Sequence, residues 1–511
     1  MTWTSGYVAD IDYTFGYYPE LNPLNIDLAL AKFGLQPPKI KNACELGFGQ
    51  GLSLCVNSLH PEINWYGNDF NPTQALFAKE LSSHANKKPF ISDEDFVTFC
   101  SRQDLPEFDF ISLHGIWSWI SAENRKVILE FVKKKLAVGG VLYISYNTEP
   151  GWATMMPMRN LLTRYVNNVG AQGISISKKI DEALQFADAL MATNPIFKNA
   201  NPQVQKRLEL INDQDRNYLA HEYFNADWQP FNFSEMNDIL TEAKLTYAGP
   251  ANFADGISEI NLTATQSAFL DTIENPIFRE MVRDMCVNQS FRKDFWVKGA
   301  RNLSNYERAE FIHKCDLTLI SDPRSIKFKI KGNLGEADLT KDIYDPIISA
   351  FDNCETLSIR DLSEKLSGVA TELQILQAVS ILIAKNDLAV AMSRDKIDAA
   401  TSSTTAINLH LLRDAISKDE VKFLVSPVTL SVIPVSRFEK LFILALQNKC
   451  SDVRDIANYV WDLINPQGQR LVVDGKTLQK PEENIDKLET DAMEFLNNKL
   501  QKLIKLKIVN L

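Results

Sequence analysis

The sequence predicts an α/β protein whose N-terminal part is a mostly parallel sheet with helices on both faces. Three observations carry this. Short apolar runs alternate with helical stretches over the first 150 residues, the rhythm of β–α units. The fifth run, VLYISYN (141–147), is apolar without interruption, as expected of a strand buried on both faces. A glycine-rich bend, Glu45 to Gly51, follows the first run, and an acid, Asp69, ends the second.

KNACELGF (41–48) is the first strand, and QGLSLCVNSLH (50–60) the helix after it, stopped by Pro61. NWYGNDF (64–70) is the second strand; PTQALFAKELSSHA (72–85) is a helix with Pro72 at its first position, where the missing N–H costs nothing. KPFISDEDF (88–96) is a weaker third strand and FDFISLHG (108–115) the fourth. ENRKVILEFVKKKL (123–136) is a helix closed by Val138-Gly139-Gly140, leading into the fifth strand. From Trp152 to about Leu219 the pattern is helical; residues 233–253 then return to helix and strand, and FRKDFWVKG (291–299) supplies a late, antiparallel strand.

Beyond residue 300, SIKFKIKGNLGEAD (325–338) reads as a hairpin and 346–392 as three helices and a short strand, the rhythm of a winged helix. Its second helix, Thr371 to Ala384, contains no Lys or Arg, so a protein-contact or homodimer role is expected in place of DNA reading. The last hundred residues are helical, broken at 425–436 and 467–476, and Ile485, Leu488, Ala492, Phe495, Leu500 and Leu503 form one packing face.

Composition narrows the function classes. With 54 Lys and Arg against 65 Asp and Glu, the net charge of −11 argues against nucleic acid as a partner. No apolar run approaches the roughly 18–20 residues that span a bilayer, and the N-terminus lacks the basic and apolar regions of a secretory signal. The seven cysteines (44, 55, 100, 286, 315, 354, 450) are scattered, which suits free thiols in a reducing cytoplasm, and neither they nor the six histidines show metal-ligand spacing.

Glycines in the bend let the backbone turn sharply and approach a ligand without Cβ clashes, and Asp69 lies 20 residues beyond Gly49, where a carboxylate grips ribose hydroxyls. NAD and S-adenosylmethionine share that clamp. ELGFGQG (45–51), GNDFNP (67–72) and ISDEDF (91–96) together resemble the successive cofactor motifs of class I methyltransferases. YTFGYYPELNP (13–23), HGIWSWI (114–120), YNTEPGW (146–152) and YLAHEYFN (218–225) resemble a narrower group, bacterial methyltransferases with a methyltransferase regulatory domain, to which rickettsial lysine methyltransferases of outer-membrane proteins belong.

The resemblance implies a Rossmann-like S-adenosylmethionine-binding sheet over 1–150, a helical insertion at 151–220 serving substrate or dimer contacts, and a regulatory segment at 221–300 completing the sheet. A winged-helix-like domain (301–400) and a helical C-terminal domain (401–511) follow. It also implies that Glu45, Gly47, Gly49 and Gly51 hold the methionine moiety and ribose, Asp69 the ribose hydroxyls, Phe70, Asp95 and Phe96 the adenine. His114 and Gly115 would border the sulfonium, and Tyr13, Tyr17 and Tyr18 belong to a covering lid.

Methyl transfer from a sulfonium is an in-line displacement, so the protein must align the acceptor, exclude water and present an unprotonated nucleophile. For a lysine of reference pKa about 10.4, a neutral amine at pH 7.4 costs roughly 4 kcal/mol. Candidate acceptor-site residues lie past the strand ends: Trp117 and Trp119 as desolvating, cation-attracting walls, Asn147 and Glu149 to position or deprotonate the amine. His221 and Tyr223, flanking Glu222, are a candidate base and anchor. Each has a packing role as its alternative: core aromatics, a structural turn at Pro150-Gly151, a structural histidine. The leading expectation is a protein-lysine N-methyltransferase acting in the cytoplasm on a surface or appendage protein; the alternatives are a small-molecule or glycan methyltransferase and a cofactor-binding scaffold.

Overall fold

The computed structural model describes residues 15–170, 173–225, 227–352 and 355–510. Its centre is a seven-stranded sheet: β1 (Asn42–Leu46), β2 (Asn64–Asn68), β3 (Phe90–Ser92), β4 (Phe108–Leu113), β5 (Leu136–Asn147), β6 (Leu245–Pro250) and β7 (Phe291–Lys298). The strand order is β3-β2-β1-β4-β5-β7-β6. β1 to β5 are parallel, and β7 runs antiparallel to both β5 and β6. The chain winds outward from β1 to β3, returns to β4 on the other side of β1, and winds outward again. That reversal opens a crevice at the carboxyl ends of β1 and β4, where open α/β sheets bind ligands.

Alternation along β5 explains its unbroken apolar run. Leu142, Ile144 and Tyr146 join one core with Phe99, Phe108, Ile128 and Phe131, while Val141 and Tyr143 join the other with Leu54, Trp65 and Ala78. Both faces are covered, so both sets are apolar.

Two local expectations are revised. The third strand is only Phe90–Ser92, because Asp95 accepts from the Thr98 N–H (2.8 Å) and so caps a helix, Phe96–Ser101. The glycines after the helix Ala122–Lys135 do not close it; β5 already begins at Leu136 and carries Gly139 and Gly140 through an irregularity in its pairing with β4.

The described residues of the insertion after β5 form six helices, Glu149–Trp152, Met156–Asn168, Ile176–Ala192, Ile196–Ala200, Pro202–Asn212 and Arg216–Tyr223, around their own core of Met158, Leu162, Leu184 and Leu208. In the C-terminal half, β8 (Asp316–Leu319) pairs with β11 (Leu357–Ser358) and β12 (Leu388–Ala391), and β9 (Lys329–Gly332) with β10 (Gly335–Asp338) in the expected hairpin. The helix Glu372–Ala384 buries Ile375, Ala378, Val379 and Leu382. β13 (Phe423–Ser426) and β14 (Ser431–Pro434) form a tight hairpin, followed by Arg437–Gln447, Val453–Ile464 and the terminal helix from Pro481. Leu488, Ala492, Phe495, Leu500 and Leu503 of that last segment are buried, and Ile485 packs beside them. No described helix is long and apolar enough to cross a membrane.

Candidate functional site

The site begins where β1 ends. Gly47, Gly49 and Gly51 all take left-handed conformations, with φ of +66°, +60° and +70°. At Gly47 a Cβ would lie 2.9 Å from the Ile116 side chain, and at Gly51 2.7 Å from Ala78, so neither position admits a side chain. The chain therefore leaves β1 as bare backbone and enters the helix Leu52–Asn57.

Asp69 reaches into this bend from the end of β2. Its Oδ2 accepts the Gly49 N–H (2.9 Å) and its Oδ1 the Asn71 N–H (3.0 Å). The Gln74 carboxamide, its nitrogen turned towards Asp69, donates to both oxygens at 3.0 and 3.3 Å. Asp69 is 7 % exposed, and burial pushes its carboxyl up to about 7 in spite of the two backbone donors. Glu45, 2 % exposed, is pushed up to about 8 by burial and then by the charge of Asp69.

Three buried polar atoms at strand ends lack a hydrogen-bond partner among the described residues: Glu45 Oε2 on β1, Asn68 Oδ1 on β2 and Asn147 Nδ2 on β5. Unpaired buried groups are costly, and these three stand towards the carboxyl ends of the parallel strands, the edge of the sheet at which the glycine bend lies. Bare backbone, two carboxyls and these orphaned atoms fit the nucleoside and amino-acid ends of S-adenosylmethionine.

The other expected cofactor residues surround the bend. Phe96 is half-buried, its ring beside Gly47, and Phe70 is half-buried next to Asp69. Asp95 is exposed, one carboxylate oxygen engaged as the helix cap. His114, at the end of β4, hydrogen-bonds through Nδ1 with the Tyr143 hydroxyl (2.7 Å). Burial, then Lys293, holds its imidazole well below the usual histidine range, so the ring is neutral. Gly115, φ +65°, donates its N–H to Ser145 Oγ (2.8 Å). Tyr13 lies outside the described residues.

A strap formed by residues 15–22 crosses the mouth. Phe15 meets Phe77 edge-on at 5.1 Å, the Tyr18 N–H donates to Ser53 Oγ (2.9 Å), and the Tyr18 ring stacks on His114 with centroids 3.6 Å apart. Tyr17 is half-buried beneath the C-terminal hairpin, its hydroxyl donating to the Leu430 carbonyl (3.3 Å) and held above the usual phenol range by burial.

The candidate acceptor residues divide. Trp117 is 1 % exposed and sits in the sheet core beside Phe231, so it packs and does not line the mouth. Trp119 belongs to the same turn, but its indole donates to the Glu222 carbonyl (3.4 Å), linking the end of β4 to the last helix of the insertion. Asn147 is buried, with its N–H on Ser118 Oγ (2.9 Å). Glu149 is exposed on the following turn, and one of its oxygens accepts from Asn232 at 3.5 Å. His221 is 2 % exposed within the helix Arg216–Tyr223, and Tyr223 packs on Trp152 at 5.6 Å in the insertion core.

Between them, Glu222 is half-buried, and desolvation pushes its carboxyl up to about 7. Tyr218, one helical turn before it and 37 % exposed, is raised above the usual phenol range by partial desolvation and by the charges of Glu222 and Tyr223, with Tyr18 of the strap a lesser cause. Glu222, Tyr218, Tyr143, Ser53 and Ser145 were not singled out individually by sequence reasoning. Only spatial proximity marks them, apart from Glu222 and Tyr218, which stand inside YLAHEYFN.

Comparison with known proteins agrees with this layout. Residues 215–298 match a family model described as "Predicted methyltransferase regulatory domain". An uncharacterised protein of Synechocystis sp. is 37 % identical over 514 residues, covering 99 % of this chain and all of its own. An uncharacterised protein of Rickettsia prowazekii is 23 % identical over 349 residues, 63 % of this chain and 61 % of that protein. Among solved structures, PKMT2 from Rickettsia typhi in complex with AdoHcy superposes with a TM-score of 0.69 at 19 % identity, covering 97 % of this chain and 99 % of that one.

Proposed function

Because the chain belongs to the class I methyltransferases that carry a methyltransferase regulatory domain, we propose that it methylates lysine side chains of a protein, using S-adenosylmethionine. That cofactor supplies a methyl group on a sulfonium, a leaving group already activated. The chain supplies the rest. Gly47, Gly49 and Gly51 offer backbone to a ligand, Glu45 and Asp69 accept hydrogen bonds from ammonium and ribose hydroxyls, and Phe70 and Phe96 offer ring faces to a purine. The solved relative named with AdoHcy shares this sheet over nearly its whole length, which supports the cofactor assignment.

One observation carries the choice of acceptor: a carboxyl of near-neutral pKa, Glu222, stands one helical turn from Tyr218, on the residue whose backbone carbonyl accepts from the Trp119 indole. A lysine ammonium is attracted by such a carboxylate and by aromatic faces, and must lose a proton before it reacts. A carboxylate of pKa about 7 is matched to receive that proton near neutral pH, while desolvation lowers the pKa of the amine itself. His114, neutral and covered by Tyr18, adds no positive charge of its own where the sulfonium would lie.

We place the reaction in the cytoplasm, before any export of the substrate; the six described cysteines, all free, support a reducing compartment. The test is incubation with tritiated S-adenosylmethionine and a lysate of the source organism. The expected result is a labelled protein band that yields methyl-lysine on hydrolysis and vanishes with Asp69→Ala. Label confined to metabolites or glycan would reject the lysine reading.

A further inference from the structure

We propose that the β13–β14 turn is a working part of the cofactor pocket, and that Asn22 is the positioning residue through which this turn holds the strap over the mouth of the sheet. The inference rests on the cofactor reading above.

The strap meets the pocket at Tyr18 and ends on the C-terminal half. After Tyr18, Glu20 forms an ion pair with Lys293 of β7, and the Leu21 carbonyl accepts from the Asn57 side chain (3.1 Å). Asn22 then divides its carboxamide between two tasks. Its oxygen caps the helix Pro23–Lys32 by accepting the Leu24 N–H (3.0 Å). Its nitrogen donates to the carbonyls of Thr429 (3.0 Å) and Leu430 (3.2 Å), more than 400 residues away in sequence. The Tyr17 hydroxyl donates to the same Leu430 carbonyl. Asn22 is 3 % exposed, so these bonds form away from competing water.

Leu430 itself has φ +44°, a left-handed conformation that a leucine rarely adopts. Leu430 is nonetheless fully buried, and the Thr429 and Ser431 hydroxyls hydrogen-bond across the turn at 2.7 Å. The bend thus presents consecutive carbonyls to one carboxamide and one phenol.

The consequence follows from where the strap leads. Tyr17 and Asn22 bracket Tyr18, whose ring covers His114 and whose N–H meets Ser53 just past the glycine bend. Tied at both positions, Tyr18 is ordered before a ligand arrives. Untied, its ordering would be charged against binding, which weakens affinity without changing any group that touches the ligand.

The experiment uses the full chain with Asn22→Ser, which retains an N-capping oxygen but loses both donors to the turn, and Tyr17→Phe, which removes one hydroxyl. S-adenosylhomocysteine is titrated calorimetrically, KM and kcat are measured against S-adenosylmethionine, and melting is followed by circular dichroism. For Asn22→Ser we expect about a three- to tenfold rise in Kd and KM, with kcat within about twofold of wild type, the scale of one or two neutral hydrogen bonds partly transmitted to the ligand. Tyr17→Phe, which leaves the helix cap intact, is expected to shift Kd in the same direction by less and carries the test if Asn22→Ser does not fold. Unchanged Kd in Tyr17→Phe and in folded Asn22→Ser, with a lower melting temperature, would reduce the tie to ordinary packing and overturn the inference. A wild-type chain that binds no S-adenosylhomocysteine would remove the cofactor reading, and the inference with it.

Discussion

Glu45 and Asp69 set opposite pH dependences on stability and on binding. Both carboxyls are raised in the fold, to about 8 and about 7, so the folded state holds protons that the unfolded chain releases near pH 4. Stability is therefore greatest below about pH 4, where both states are protonated, falls as pH rises because only the folded state keeps these protons, and levels off once pH has passed about 7 and 8. A cofactor that donates hydrogen bonds to the carboxylates favours their ionised forms, so its binding releases protons and tightens over the same interval. Calorimetric titration with S-adenosylhomocysteine in two buffers of different ionisation enthalpy should report proton release at pH 6.5 and little at pH 9. Asp69→Asn should weaken binding by about 10- to 100-fold, the loss of hydrogen bonds to a charged acceptor, and should flatten part of the pH dependence. Proton uptake on binding would contradict the assignment. These residues were legible in the sequence because a glycine bend and an acid 20 residues later leave a mark on a one-dimensional string. Gln74, which also serves Asp69, leaves none.

Elements were legible where apolar periodicity dominated and blurred where a cap or a bulge decided the boundary. Asp95 stands in a run that alternates like a strand, yet its carboxylate starts a helix; Gly139 and Gly140 read as a stop but lie inside β5. The acceptor side shows the same limit. The helix Arg216–Tyr223 carries His221, Glu222 and Tyr223 in succession, and helical geometry turns them in different directions. His221 and Tyr223 go into the insertion core, and Glu222 is left at its edge, so the flanking residues that attract attention in the sequence are the packing ones. If Glu222 receives the lysine proton, Glu222→Gln should lower kcat by about 10²-fold or more, within the usual reach of general-base catalysis, while cofactor affinity stays near wild type. The wild-type kcat profile should rise through an acidic limb near pH 7 that the variant lacks. A variant with unchanged kcat and an unchanged profile would return Glu222 to a structural role and shift the acceptor site elsewhere.

At the scale of the molecule, one core cluster runs from Leu21 through the sheet residues Ala43, Trp65 and Tyr143 to Val509 in the last segment. Contacts between residues distant in sequence reinforce it: Lys396 pairs with Glu62 at 2.8 Å, the His84 and His410 rings stack at 3.9 Å, and Asn86 donates to Ser402 at 3.1 Å. The N- and C-terminal halves thus share buried surface on one face of the cofactor sheet, although their sequence patterns read as separate units, because periodicity tells which face of an element is apolar and not which distant element will cover it. Shared burial makes the halves thermodynamically dependent, since unfolding either would expose the apolar face of the other. Scanning calorimetry should therefore show one principal transition for the sheet and the C-terminal half together. A ligand that contacts only the sheet must then raise the whole transition: S-adenosylhomocysteine at 100 times its Kd stabilises the folded state by about 2.7 kcal/mol, and hydrogen exchange at buried amides of β13 should slow together with that at β1. Two resolved transitions, of which only one moves with ligand, would mean that the C-terminal half folds beside the methyltransferase sheet without being energetically joined to it.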